Sequence, residues 1–316
     1  MIVCPSNEMS FLRSTFIGLS RNSTLRRFAE QSSLGRRMSS RFVAGFRIED
    51  ALTAATSLNA QGLSVTLDSL GENVATPDQA RQSAQVYHWL LDAIAQSKLD
   101  ANVSLKLTQM GMDLSPDLAA ATVSSLVDHA VQAGSFVRVD MEGSAYTQAT
   151  LSLVQQLHAK PANRGHVGIV VQAYLRRSAD DVATLLRDGI RIRLCKGAYQ
   201  EPPEIAFPDK KDVDASFVAL SKVLLKSGVF HGIATHDPAM IDAAKQFAQT
   251  ERIDPKTFEF QMLYGVRRDL QRALVAEGYR VRVYVPFGDE WYPYFMRRLA
   301  ERPANVLFLA KNFFRK

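Results

Sequence analysis

The feature that most constrains this chain is a rhythm: eight short β-branched runs, each followed by a helical pattern. The runs are 64–68 (SVTLD), 102–107 (NVSLKL), 136–141 (FVRVDM), 167–174 (VGIVVQAY), 191–198 (RIRLCKGA), 232–236 (GIATH), 258–263 (FEFQML) and 280–286 (RVRVYVP). Successive starts lie 38, 34, 31, 24, 41, 26 and 22 residues apart, each enough for a helix and two short loops. Short runs rich in Val, Ile and Leu suit a parallel sheet covered by helices. Strict alternation points to an α/β fold with a closed (β/α)8 TIM-type barrel, an open doubly wound sheet being the alternative.

Helix punctuation agrees. Ser115-Pro116, Ser178 followed by Asp181, and Asp237-Pro238 read as N-caps. Gly134, Gly189, Gly228 and Gly278 fall where helices should stop. Val86, Trp89, Leu90, Ala93 and Ile94 have the spacing of a helix face laid on a sheet. The Pro-rich stretch 200–214 is either a mobile lid or an ordinary surface loop. Residues 1–60 read as an N-terminal helical arm packed on the barrel, and 61–316 as the barrel domain.

The charge is unevenly placed. The net charge of +6 is carried entirely by residues 1–47, which hold eight arginines and two glutamates; the rest is neutral. A folded body without a basic excess argues against nucleic-acid binding. Two cysteines, Cys4 and Cys195, exclude a disulfide scaffold or a multi-cysteine metal centre and fit a reducing compartment. No apolar run approaches the ~18 residues of a membrane span.

In such barrels the chemistry sits at the C-terminal ends of the strands. The polar residues there are Asp68 with Glu72, Lys106, Asp140 with Glu142, Gln172, Arg193 with Lys196, His236 with Asp237, Gln261 and Tyr284. Inward charges in a barrel need partners, so the set reads as a cationic, partly aromatic pocket for an anionic ligand. A predicted helix after the last strand adds Tyr294, Arg297, Arg298 and Glu301, with Tyr294 and Arg298 on one face. Adjacent arginines can clamp a carboxylate. The glycine fingerprint of a Rossmann turn, a Walker loop, His-Glu-x-x-His and the serine-hydrolase elbow are all absent. His231 and His236 read as surface or supporting histidines, so no metal site is expected.

At these residues the sequence resembles the proline dehydrogenases. The resemblance rests on RLCKGAY (193–199), ATHD (234–237), EFQMLYGVR (259–267), VRVYVPFG (281–288) and YFMRRLAERPAN (294–305). RFVAG (41–45), VTLDSLGENV (65–74), SLKLTQMG (104–111) and VRVDMEG (137–143) match in the same order. The likeness runs from about residue 10 to about 310 and is to the monofunctional bacterial form, without an aldehyde dehydrogenase module.

The resemblance implies a distorted barrel holding non-covalent FAD that oxidises L-proline to Δ1-pyrroline-5-carboxylate and passes electrons to a membrane quinone. It implies Arg297, Arg298 and Lys106 on the substrate carboxylate, and Tyr284, Tyr294 and Leu263 around its ring. Asp140 would organise the pocket floor, and Glu72 would pair with Arg297 over the substrate. Gln172, Arg193, Lys196, Gly197, Ala198, Thr235 and His236 would hold the flavin, with Glu301 at its nucleotide end. A pyrroline-5-carboxylate dehydrogenase is the implied downstream partner. Cys195 departs from the aliphatic residue usual there and reads as a small hydrophobe. Tyr284 favours proline over hydroxyproline. Rival readings are a hydroxyproline or related cyclic amino-acid dehydrogenase, a Schiff-base lyase using Lys106 or Lys196, and a membrane-binding module. The arginine-rich start reads as a retained arm touching anionic lipid rather than a mitochondrial transit peptide, in a protein expected to be cytoplasmic and peripheral at the inner membrane, or mitochondrial in a eukaryotic source.

Overall fold

The computed structural model describes residues 39–301, with side chains through Met296. The arm before residue 39, including Phe11, Leu12, Phe16 and Leu19, lies outside the described residues, as do the side chains of Arg297, Arg298 and Glu301.

Eight parallel strands close into a barrel in the order β1 to β8. They are β1 (Ser64–Ser69), β2 (Ala101–Leu105), β3 (Val137–Val139), β4 (Val167–Gln172), β5 (Arg191–Cys195), β6 (His231–Ala234), β7 (Phe258–Leu263) and β8 (Arg280–Phe287). β8 returns to β1 with Thr66 opposite Tyr284, so the open-sheet alternative falls. The helices are α1 (Ile48–Asn59), α2 (Pro77–Gln96), α3 (Pro116–Gln132), α4 (Ser144–Ala159), α5 (Ser178–Arg187), α6 (Lys210–Lys226), α7 (Pro238–Thr250), α8 (Arg268–Ala276) and α9 (Trp291–Glu301).

The strands alternate rather than run apolar throughout. Val65, Leu67, Val103, Leu105, Val137, Val139, Ile169, Ile192, Leu194, Ile233, Phe260, Val283 and Val285 are buried in one apolar core with residues of the helix ring. The intervening residues, Thr66, Asp68, Ser104, Arg138, Arg193, Glu259, Gln261 and Arg282, are polar and also buried. Their bonds run strand to strand, as from Thr66 to Asn102 and from Arg193 to Asp140, so they fill the barrel's inside. Fully burying each outward Val, Leu, Ile or Phe contributes about 1.5–3 kcal/mol, and this shell holds a polar interior in place.

Local chemistry explains the helix ends. Thr76 caps α2, its hydroxyl accepting from the Gln79 N–H while the Gln79 side chain answers the Thr76 backbone; such a cap is worth about 1 kcal/mol. Ser115 and Asp237 cap α3 and α7 as expected. Ser178 does not cap α5: Arg177 holds that position, and the Ser178 hydroxyl donates to the Gln172 carbonyl instead. The buried face of α2 is Ala80, Ala84, Tyr87, Leu90, Leu91 and Ile94, leaving Trp89 54% exposed. The expected stripe is therefore rotated, because Tyr87 reaches beneath the helix to Asp68 and Gln109.

The stretch 200–209 is strapped down. Ala206 bridges Leu175, Phe207 N–H donates to Tyr174, and Arg176 lies 4.9 Å from the Phe207 ring. Asp214 belongs to α6.

Candidate active site

The inward polar residues form tiers. At the floor, the Glu259 carboxylate accepts from Arg282 Nε at 2.8 Å and from Gln261 Nε2 at 2.6 Å. With its nitrogen committed below, the Gln261 amide turns its oxygen to Arg193 Nε at 2.5 Å. Gly232 makes this possible, since a Cβ there would overlap the Gln261 amide. One tier up, Asp140 Oδ1 accepts from Arg193 at 2.8 Å and from Ser104 at 2.6 Å. Asp140 Oδ2 accepts from the Tyr284 hydroxyl at 2.9 Å, and Arg193 lies 5.1 Å from that ring's centre. Lys106 pairs with Asp68 at 3.5 Å.

The electrostatics follow from burial. Burial and the nearby Asp140 raise the Asp68 carboxyl, against the pull of Lys106. Burial pulls the Lys106 ammonium down, but Asp68, Glu72 and Asp140 outweigh it and hold its pKa above the ordinary lysine value. Burial, Asp140 and Asp68 lift Tyr284 well above an ordinary phenol, so it remains a hydrogen-bond donor. A lysine held protonated is no Schiff-base nucleophile. Lys196 is equally committed, to Asp214 at 2.5 Å and Asp237 at 2.8 Å.

Around the mouth, Gln172 is 2% exposed and donates to the Met141 and Glu142 carbonyls, while its Oε1 is buried with no partner. Glu142, raised by burial, accepts from the Thr108 N–H and hydroxyl. His236 Nε2 accepts from the Leu263 N–H, placing the imidazole at the end of β7. Thr235 accepts from the Asp237 N–H. Gly197 has a φ of +123°, where a Cβ would overlap the Tyr174 ring, so it turns the chain out of β5 ahead of Ala198. Burial pushes the Cys195 thiol up to about 12, in keeping with a hydrophobic role. α9 is anchored beside this mouth: Trp291, Tyr292, Tyr294, Phe295 and Met296 are buried in a cluster with Phe42, Val43 and Leu70.

The structure thus brings Asp140, Arg193, Gln261 and Tyr284 into one network, which the Lys106–Asp68 pair joins through a hydrogen bond between Asp68 and Tyr284. Sequence reasoning missed Ser104, Glu259, Arg282, Tyr87 and Gln109. The period-2 alternation of polar residues along β2, β7 and β8 carried that signal for the first three. His231 is neither a surface nor a mouth residue. It is 1% exposed at the start of β6, Nδ1 accepts from the Ile192 N–H, and burial lowers it to about 3.

A closed (β/α)8 barrel with partnered cations, carboxylates and phenols at its C-terminal mouth is built as an enzyme of the barrel class. Within that class the chain belongs to the proline dehydrogenase family, whose model matches residues 51–311. Proline dehydrogenase 1 of Bacillus subtilis subsp. natto is 43% identical over 306 residues, covering 96% of this chain and all of that protein. Proline dehydrogenase of Deinococcus radiodurans is 41% identical, over 87% of this chain and 89% of the relative. Among solved structures, proline utilization A from Bdellovibrio bacteriovorus, inactivated by N-propargylglycine, superposes with a TM-score of 0.81 at 26% identity. That match covers 89% of this chain but only 34% of the larger protein.

Proposed function

We propose that this chain oxidises L-proline to Δ1-pyrroline-5-carboxylate with bound FAD and passes the electrons to a membrane quinone. The observation that carries the reading is the family match across the barrel, with relatives of about the chain's own length named proline dehydrogenase.

The residues present fit the cofactor. Gln172 Oε1 is a buried acceptor without a donor, as a ring N–H of a flavin requires. Arg193 has Nε and Nη1 engaged by Gln261, Ser104 and Asp140, leaving Nη2 for a ligand. Gln172, Arg193, Lys196, Gly197, Ala198, Thr235 and His236 would hold FAD, with Glu301 toward its nucleotide end. When bound, FAD supplies the hydride acceptor.

The protein's own part is capture and orientation. Arg297 and Arg298 grip the substrate carboxylate from α9, a bidentate task suited to guanidinium. Lys106, kept protonated by its acidic neighbours, adds a third cation. Tyr284 is a fixed wall because Asp140 holds its hydroxyl, and Tyr294 and Leu263 complete an apolar sleeve for the ring. Glu72 pairs with Arg297 and closes the site. Hydride transfer needs positioning more than acid–base power, and no side chain is assigned as base for the amine proton.

The arginine-rich arm brings the enzyme to anionic lipid, where a quinone is reached. This reading goes with a cytoplasmic protein peripheral at the inner membrane; among the described residues no helix is long and apolar enough to cross one. A pyrroline-5-carboxylate dehydrogenase is the partner expected downstream, as the bifunctional protein PutA of Escherichia coli is 28% identical over 98% of this chain.

The test is optical. Purified protein should show a flavin spectrum that bleaches with L-proline and should be inactivated by N-propargylglycine. A protein that binds no FAD would overturn the reading. Arg298→Met should raise the proline concentration for half-maximal rate at least tenfold with flavin retained; unchanged proline kinetics would remove Arg298 from the site.

A further inference from the structure

On the outer helices, away from the barrel interior, two histidines face each other. His88 on α2 and His129 on α3 bring their Nδ1 atoms to 2.8 Å, with centroids 5.0 Å and ring planes 23° apart, so the two rings meet edge to edge. Each outer nitrogen is engaged. His129 Nε2 meets the Asp92 carboxylate at 2.9 Å, and His88 Nε2 meets the Ser125 hydroxyl at 3.4 Å. Asp92 is one turn beyond His88 on α2, and Ser125 one turn before His129 on α3, so two stiff helices set the arrangement.

The proton count is informative. A carboxylate only accepts, so Asp92 fixes the proton of His129 on Nε2 and leaves a lone pair at Nδ1. That lone pair points at a second imidazole nitrogen, which must supply a cation or an N–H. A carboxylate behind a histidine whose other nitrogen faces a shared point is the outer-shell pattern of metal-ligating histidine.

We infer that His88 Nδ1 and His129 Nδ1 form a binding site for a divalent transition-metal ion of the zinc class, linking α2 to α3. On binding, the proton on His88 Nδ1 moves to Nε2, where the Ser125 hydroxyl turns to accept it, so no proton is released. Two Zn–N bonds of about 2.0–2.1 Å at a tetrahedral angle place the nitrogens about 3.3 Å apart, so the pair opens slightly from the 2.8 Å observed and each ring turns by roughly 35° from its head-on position to aim at the ion. His129 is 21% exposed, and the pair lines an open groove with Ser124, Ser125, Asp128 and Gln132, so the ion has an entry path. Among the described residues no three His, Cys, Asp or Glu side chains converge on a metal position, so water completes the sphere.

Untagged full-length holoenzyme is dialysed against chelator-buffered Zn2+ and compared with the double variant His88→Gln/His129→Gln. The wild type should bind one more equivalent at micromolar free Zn2+, and Asp92→Asn should weaken it about 10–100-fold. Zn2+ should raise the wild-type melting temperature, and EDTA should reverse the rise. Proline oxidation by the double variant should match the wild type, since neither histidine belongs to the mouth. Histidine-labelled NMR of the wild type reads the site without any variant. Equal Zn2+ stoichiometry and affinity in the double variant, or unshifted His88 and His129 resonances on Zn2+ addition, would overturn the proposal.

Discussion

Replacing Glu259 by Gln tests the floor of the barrel with almost no change in shape. The carboxylate and the Arg282 guanidinium are 3% and 9% exposed as side chains, so the pair is screened by protein rather than by water. Arg138, Arg191, Arg193 and Arg282 crowd this region: burial and Arg193 hold Arg138 well below an ordinary guanidinium, and Glu259 is the acid that pulls it back. Removing one partner of a buried ion pair costs about 3–5 kcal/mol. The amide still accepts one bond, which returns about 1 kcal/mol. The expected loss is therefore about 2–4 kcal/mol, a large part of a typical total of about 5–15 kcal/mol but short of abolishing the fold. Equilibrium urea unfolding followed by tryptophan fluorescence measures it, with an unchanged m-value confirming that the same surface is exposed. A loss below about 1 kcal/mol would refute the argument that these guanidiniums depend on Glu259.

Three further outcomes follow from the site. Tyr284→Ser frees space beside Asp140 and should shift the ratio of kcat/KM toward hydroxyproline by roughly tenfold or more; steady-state kinetics on both substrates decides it, and an unmoved ratio counts against Tyr284 as a specificity wall. His231 is neutral in the fold, with a pKa of about 3, against 6.5 for a free histidine. The unfolded chain therefore takes up the proton first, and stability falls as pH drops from about 6.5 toward 3, by about 1.4 kcal/mol per pH unit for this group. His231→Gln should flatten that slope in urea melts, and an unaltered slope would clear His231 of the effect. Asp140→Asn removes a charge that raises both Lys106 and Tyr284. Ultraviolet difference titration should find a phenol ionising at lower pH than in the wild type, and an unshifted curve would contradict the pairing.

How much of this was legible in the sequence depends on which atoms carry the signal. The barrel was legible because eight runs at helix-sized spacing leave few topologies; the run at 258–263 coincides with β7 at both ends. Strand ends were less so. β3 ends at Val139, and Asp140, whose N–H still donates to the Leu105 carbonyl of β2, turns its carboxylate to Arg193, a tertiary event that local composition does not contain. The rotated face of α2 has the same origin, since Tyr87 is drawn inward by Asp68. Asp140, Arg193 and Tyr284 were readable as strand-end polar residues. Glu259 and Arg282 sit a pleat deeper, and only the alternation of polar and apolar positions marks them as inward.

That depth has a mechanical consequence. Gln261 can present its oxygen to Arg193 only while its nitrogen is held by Glu259, so the floor fixes the orientation of a residue one tier higher. Arg193 in turn shares Asp140 with Tyr284 and Ser104. Floor and mouth are joined by single, directional hydrogen bonds rather than by generic packing. Changes at Glu259 and Asp140 act on the same guanidinium from opposite sides, and their effects should not add. A double-mutant cycle on stability should show a coupling above about 0.5 kcal/mol, whereas independent sites would give a value near zero.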